Sequence, residues 1–267
     1  MARFRLGLVR YLNTAALRQD LASNLPPEVE LLYASPAELA RGLLSGELEA
    51  GLVPSVLYAR HPQKFLLLPD LSISASGRVG SVLFFYRGDL RELSGKTVAL
   101  TPESETSVAL LRILLEDFQG VRPRYVRGGP GGGAWGYLAI GDEALRLRKS
   151  PPFPGVLDLA GIWMERTGLP FVFAVLALRR EVLAAERGTL REVAGALYLS
   201  RARGVAQLSE VARERPRELS LEEAQAYLLG LEYDLSGVKQ EALRVFYQHL
   251  ARRGEIPSVP EFRFVDL

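Results

Sequence analysis

Tyr11-Leu12-Asn13 follows directly on the apolar run Leu6-Gly7-Leu8-Val9, so a phenol and a carboxamide sit where a first strand gives way to a first helix. Open α/β sheets bind ligands outside the carboxyl ends of their strands, and a polar group at such a junction faces a ligand more often than a core. The arrangement recurs twice. Gly51-Leu52-Val53 ends in Pro54-Ser55, and Val98-Ala99-Leu100-Thr101 runs into Pro102-Glu103-Ser104-Glu105-Thr106-Ser107. Hydroxyls and amides at three strand ends, with no obvious acid or base, make a donor set for a small anion. Each also has a plain structural reading. An Asn after a strand serves as a turn residue, and Ser104 serves as a helix cap.

The elements that would position these groups alternate between strand and helix, which predicts an α/β fold with largely parallel sheets. Strands are predicted at residues 4–9, 29–33, 49–53, 79–86, 97–100, 137–141 and 171–178. The last is almost purely apolar and is expected to be buried on both faces. A helix is predicted over 14–24, stopped by Pro26-Pro27. A second starts at Ser35-Pro36, with Ser35 as cap and Pro36 at the first helical position, and stops at Gly46. Val108, Leu111, Leu114, Leu115 and Phe118 have helical spacing. From about residue 180 strand patterns vanish and helices remain, over 180–188, 189–208, 220–229 and 238–252, the third opened by the capping pair Ser220 and Glu223. Gly128-Gly129-Pro130-Gly131-Gly132-Gly133 lacks the Lys-Ser/Thr of a phosphate-binding loop and reads as a flexible surface loop. No internal repeat of 20–50 residues is visible.

Composition narrows the chemistry. The 267 residues, 48% hydrophobic and 24% charged, fit one large domain or two small ones with a sizeable core. A net charge of +2 with mixed signs offers no stripe for nucleic acid. The absence of cysteine excludes disulfides, thiolate catalysis and Cys-ligated metals, and His61 and His249 lie far apart. No cofactor and no metal are expected. Arg10 breaks the apolar stretch too early for a signal peptide, and no apolar run approaches the roughly 20 residues of a membrane span, so the expected location is cytoplasmic.

The order of units predicts two lobes, residues 1–88 with 177–267 and residues 89–176, with a ligand cleft between them and hinge closure as the motion.

Several segments in order carry a family likeness. They are Tyr11-Leu12-Asn13, Gly46-Glu47-Leu48, Gly51 to Ser55, Ser72 to Val82, Ser104 to Ser107, Ile140-Gly141-Asp142-Glu143-Ala144-Leu145, Asp158-Leu159 before Trp163, and Thr167 to Ala174, with Tyr227 to Phe246 more weakly. Together the chain resembles the chorismate dehydratase family of the futalosine route to menaquinone. The resemblance departs at Thr14-Ala15-Ala16, Thr101, Glu105 and the glycine-rich stretch. It implies a type II periplasmic-binding-protein-like fold acting in the cytoplasm, and a hydro-lyase reaction in which chorismate loses water to give 3-[(1-carboxyvinyl)oxy]benzoate. The substrate is a dianion. Tyr11, Ser55, Ser81, Ser104, Thr106 and Ser107 are then its binding residues, one carboxylate to each lobe, so that binding closes the cleft. Asn13 is the catalytic candidate. It cannot transfer a proton, but it can hydrogen-bond the departing C4 hydroxyl.

Asp142 reads as a helix cap, Trp163 and Phe171-Val172-Phe173 as packing, Arg78 as either solvent-facing or a source of positive potential in the cleft, and His61 as chemically idle. Alternatives are 1,4-dihydroxy-6-naphthoate synthase of the same pathway, a non-catalytic binder of small anions, and the effector-binding part of a regulator. A monomer or homodimer without nucleic-acid or membrane partners is expected.

Overall fold

The computed structural model describes residues 4–267, and the reading of Met1-Ala2-Arg3 lies outside the described residues. Two five-stranded sheets form the frame. Strands β1 (Phe4–Leu8), β2 (Val29–Tyr33), β3 (Ala50–Pro54) and β4 (Phe65–Ala75) belong to the first. Strands β5 (Val82–Tyr86), β6 (Thr97–Leu100), β7 (Arg124–Arg127), β8 (Gly136–Ile140) and β9 (Gly155–Asp158) make the second, and β10 (Phe171–Arg179) returns to the first. The orders are β2-β1-β3-β10-β4 and β7-β6-β8-β5-β9. In each, three parallel strands are followed by an antiparallel one. The two halves thus share a pattern that no sequence repeat announces.

These sheets shift the expected boundary between the lobes. Val82–Tyr86 was assigned to the first lobe but pairs with β8 and β9, and Phe171–Arg179 pairs with β3 and β4. The chain therefore crosses between sheets at residues 76–81 and again at 159–170. Asp158 ties the two crossings together. Its carboxylate accepts from the N–H groups of Val79 (3.1 Å), Gly80 (2.6 Å) and Gly161 (3.0 Å), the last as a helix cap.

In the first half, α1 (Ala15–Arg18) and α2 (Leu21–Asn24) replace the single helix expected there, because Asp20 takes the left-handed conformation between them. In α3 (Pro36–Ser45) the capping box of Ser35 and Glu38 and the left-handed stop at Gly46 are as expected. Next come α4 (Ser55–Arg60), α5 (Glu105–Arg112, continuing as a π-helical stretch to Phe118), α6 (Gly141–Leu147) and α7 (Leu159–Thr167). The tail supplies α8 (Leu183–Ala206), α9 (Leu208–Val211), α10 (Leu221–Leu229) and α11 (Gly237–Arg252).

The tail completes the first half. Leu67 bridges Phe264, Ser74 bridges Glu232, and the Tyr247 hydroxyl donates to Ser55 O at 2.7 Å. The α8 backbone reaches α1 at Gly204, where a Cβ would lie 2.5 Å from the Ala16 Cα. No helix among the described residues is long and apolar enough to cross a membrane.

Candidate active site

A cleft lies between the two sheets, at the carboxyl ends of β1, β3 and β8 and the amino end of the antiparallel β5. Tyr11, Asn13, Ser81, Ser104 and Ser107 line it, so the structure gathers five of the seven predicted residues. Among the described residues, no lining side chain carries a formal charge.

Asn13 sits in a single 3₁₀ turn, Leu12–Thr14, that continues into α1. Thr14 anchors the turn by donating to Val9 O and Tyr11 O. The Asn13 Oδ1 is buried and has no partner among the described residues. Leaving a buried acceptor unmade costs about 1–3 kcal/mol, so a ligand group that satisfies it gains that much.

Ser104 caps α5, accepting from the Ser107 N–H at 3.3 Å, and the two hydroxyls lie 3.1 Å apart. Ser81, just before β5, accepts from the hydroxyl of Tyr227 at 2.9 Å. That bond uses a lone pair of the Ser81 oxygen and leaves its own proton free to donate into the cavity. Burial pushes the Tyr227 phenol well above its ordinary pKa, which keeps it a donor.

Two expectations are corrected. Ser55 is fully buried and its hydroxyl donates to Val172 O at 2.9 Å, while Thr106 Oγ1 accepts from the Val56 N–H at 3.1 Å. Neither lines the cavity; they stitch α4 to β10 and to α5. Arg78 is exposed and lines a separate groove with Arg148, so it lends the cavity no charge. His61 packs edge-on to Phe65 away from the cavity, and its pKa is lowered by burial and by Lys64 and Arg60.

Trp163 is core: it is fully buried against Phe118, Phe171 and Phe246, with its indole N–H on Pro170 O. Phe173 is not, and it lines the cavity. The register of β10 against β4 skips it between Val172 and Ala174, and such a bulge re-aims a side chain. Asp142 is not a cap either, since Ile140 holds that position. Its Oδ1 instead accepts the Leu12 N–H at 3.1 Å, joining the second half of the molecule to the first beside the cavity. Burial raises its pKa from its ordinary value, opposed by the Leu12 N–H, Arg146 and Arg18 and reinforced by Glu103. Tyr11 donates to Glu103 from the same side, and its phenol is raised above its ordinary pKa by burial and then by Glu103. The nearby carboxylates are thus engaged with the turn that bears Asn13.

The site can therefore orient an anion by hydrogen bonds from hydroxyls and main-chain N–H groups, and can contact a leaving hydroxyl through a carboxamide. Comparison with known proteins gives the family. The chain is 38% identical to the chorismate dehydratase of Thermus thermophilus over 98% of its own length and 99% of the relative's. It is 31% identical to that of Campylobacter jejuni over 63% and 64%. It is 28% identical to the 1,4-dihydroxy-6-naphthoate synthase of Thermus thermophilus over 90% of each. Among solved structures, protein AF1704 of Archaeoglobus fulgidus superposes with a TM-score of 0.75 at 18% identity, covering 96% and 99% of the chains. The aliphatic sulphonate binding protein SsuA of Escherichia coli gives 0.65 at 12%, covering 97% and 95%, so the fold is that of the periplasmic binding proteins. A family model described as menaquinone biosynthesis matches residues 4–252, and the chain belongs to that family, which includes the chorismate dehydratases.

Proposed function

We propose that the protein is a chorismate dehydratase, a hydro-lyase that converts chorismate to 3-[(1-carboxyvinyl)oxy]benzoate and water. The observation that carries this reading is the end-to-end similarity to the Thermus thermophilus enzyme, together with an uncharged cavity into which an unpartnered carboxamide oxygen is buried. The same reading makes it an enzyme of the futalosine route acting in the cytoplasm, as a monomer or homodimer.

Chorismate loses the hydrogen at C3 and the hydroxyl at C4, and the ring becomes aromatic. Aromatisation drives the step, so the protein has chiefly to position the substrate. Ser104 and Ser107, with the N–H groups that open α5, face one carboxylate; the Ser81 hydroxyl donates to the ligand beside them. The Asn13 carboxamide hydrogen-bonds the C4 hydroxyl as it departs. Among the described residues, none that lines the cavity is a base. The substrate's own enolpyruvyl carboxylate therefore takes the C3 proton, with the cleft fixing its orientation. The lobes close on the dianion, and in the extended pose the competing rearrangement to prephenate is suppressed.

Pure protein incubated with chorismate should yield the aromatic enol ether, followed by absorbance and mass. Asn13→Ala should lose kcat while retaining substantial binding. No product from chorismate, but turnover of a cyclic de-hypoxanthine futalosine, would establish the sibling synthase instead.

A further inference from the structure

The turn bearing Asn13 is held from the far side of the cleft. Leu12 donates its N–H to Asp142 of α6. Tyr11 donates to Glu103, and its ring lies over Gly141, where a Cβ would sit 2.8 Å from the ring at a φ of +58°. So the two residues before Asn13 are tied to the second half, while Thr14 after it is tied to the first. A free 3₁₀ turn of three residues has little stability of its own. Its conformation is fixed by what grips it at each end.

We propose that Asp142 is a positioning residue for the dehydration: its carboxylate, arriving with α6 as the cleft closes, accepts the Leu12 N–H and thereby sets the Asn13 carboxamide against the leaving hydroxyl. This rests on the reading of Asn13 given above. The bond spans 130 residues of sequence and is made between the two halves, so it forms only when they meet. Its acceptor is ready-made for the task. Asp142 does not cap its own helix, and its carboxylate is half-buried rather than solvated. Catalysis then waits on closure, since the open form leaves the turn gripped at one end.

The test compares Asp142→Ala, which removes the acceptor, with Asp142→Asn, which keeps a carbonyl oxygen at the same place. Turnover of chorismate is measured alongside amide hydrogen exchange at Leu12 with substrate bound. Misplacing a catalytic group by about 1 Å costs up to roughly 100-fold, so D142A should lose 10- to 100-fold in kcat with a much smaller change in KM. D142N should recover most of the loss, and Leu12 exchange should accelerate only in D142A. If D142A does not fold, Asp142→Ser, which is smaller and too short to reach the Leu12 N–H, replaces it. Equal loss in D142N and D142A would show that the charge, not the acceptor, matters. Faster Leu12 exchange with unchanged kcat would show that the contact positions nothing. Either result overturns the proposal. Full turnover of Asn13→Ala would instead remove the reading on which it rests.

Discussion

Replacing Gly204 by Ala tests the packing that supports the Asn13 turn. Gly204 lies in α8 where that helix meets α1, and an added Cβ would fall 2.5 Å from the Ala16 Cα and 2.6 Å from its carbonyl carbon. Ordinary contacts to a Cβ exceed 3.4 Å, so the helices must part by on the order of 1 Å. Overpacking of this kind costs about 1–3 kcal/mol, and a clash between two backbones, with no rotamer to escape into, belongs at the upper end. Alanine in place of a helical glycine returns about 1 kcal/mol. The net loss is about 1–2 kcal/mol, or a Tm lower by roughly 3–6 °C for a chain of this size. Gly195 is the internal control. It is exposed on the same helix, a Cβ there meets nothing within 4 Å, and Gly195→Ala should stabilise by about 0.5–1 kcal/mol. Because α1 begins at Ala15, the strain in G204A also reaches Asn13, and kcat should fall while G195A leaves it unchanged. Thermal and urea unfolding followed by circular dichroism, with chorismate turnover, read both effects. If the two variants gain stability alike, the close approach of α8 and α1 is not there and the reasoning fails.

Two further outcomes are expected. Tyr227→Phe frees the Ser81 hydroxyl to turn away from the cavity, and losing its hydrogen bond to the ligand, worth about 0.5–1.5 kcal/mol, should raise KM for chorismate by roughly 2- to 10-fold while the lost buried bond lowers Tm by a few degrees; an unchanged KM would remove Tyr227 from the binding machinery. His249 packs edge-on to Phe118 and Trp163, and burial lowers its pKa even though Asp117 opposes the shift. The native state then binds this proton less readily than the unfolded chain. The stability it contributes is present above the unfolded value of about 6.5 and falls as pH drops through the lowered one, so urea unfolding between about pH 7 and 5 should show a slope that His249→Gln flattens.

What the sequence announced, and what it hid, divide by range of interaction. Ser35-Pro36 with Gly46, and Ser220 with Glu223, were legible because each signal and its effect lie within one helical turn of each other. The strand Phe65–Ala75 escaped notice because Pro69-Asp70 interrupts its apolar run. The structure absorbs that break as an irregularity in the pairing with β10, with Asp70 at a φ of +51°. Arg124–Arg127 escaped because an edge strand rich in arginine carries no apolar signature. At the site, the residue types were readable and their directions were not. Ser55 and Thr106 look like Ser81 and Ser104 on paper, yet a carbonyl 117 residues away and an N–H 50 residues away claim their hydroxyls. Asp142 reads as a cap in the sequence because its partner lies in the other half of the molecule. Phe173 reads as packing because the bulge that breaks the alternation is a feature of pairing, not of the strand's own residues.

The return of the tail to the first sheet bears on biosynthesis of the chain itself. Strands β5 to β9 are contiguous, so the second sheet has all its members once residue 158 has left the ribosome. The first sheet must await β10, and its last bridge, Leu67 to Phe264, needs nearly the whole polypeptide. During translation the middle of the protein can mature while its amino-terminal strands remain open-edged. Stalled or truncated products will expose that unfinished sheet to proteases and to one another.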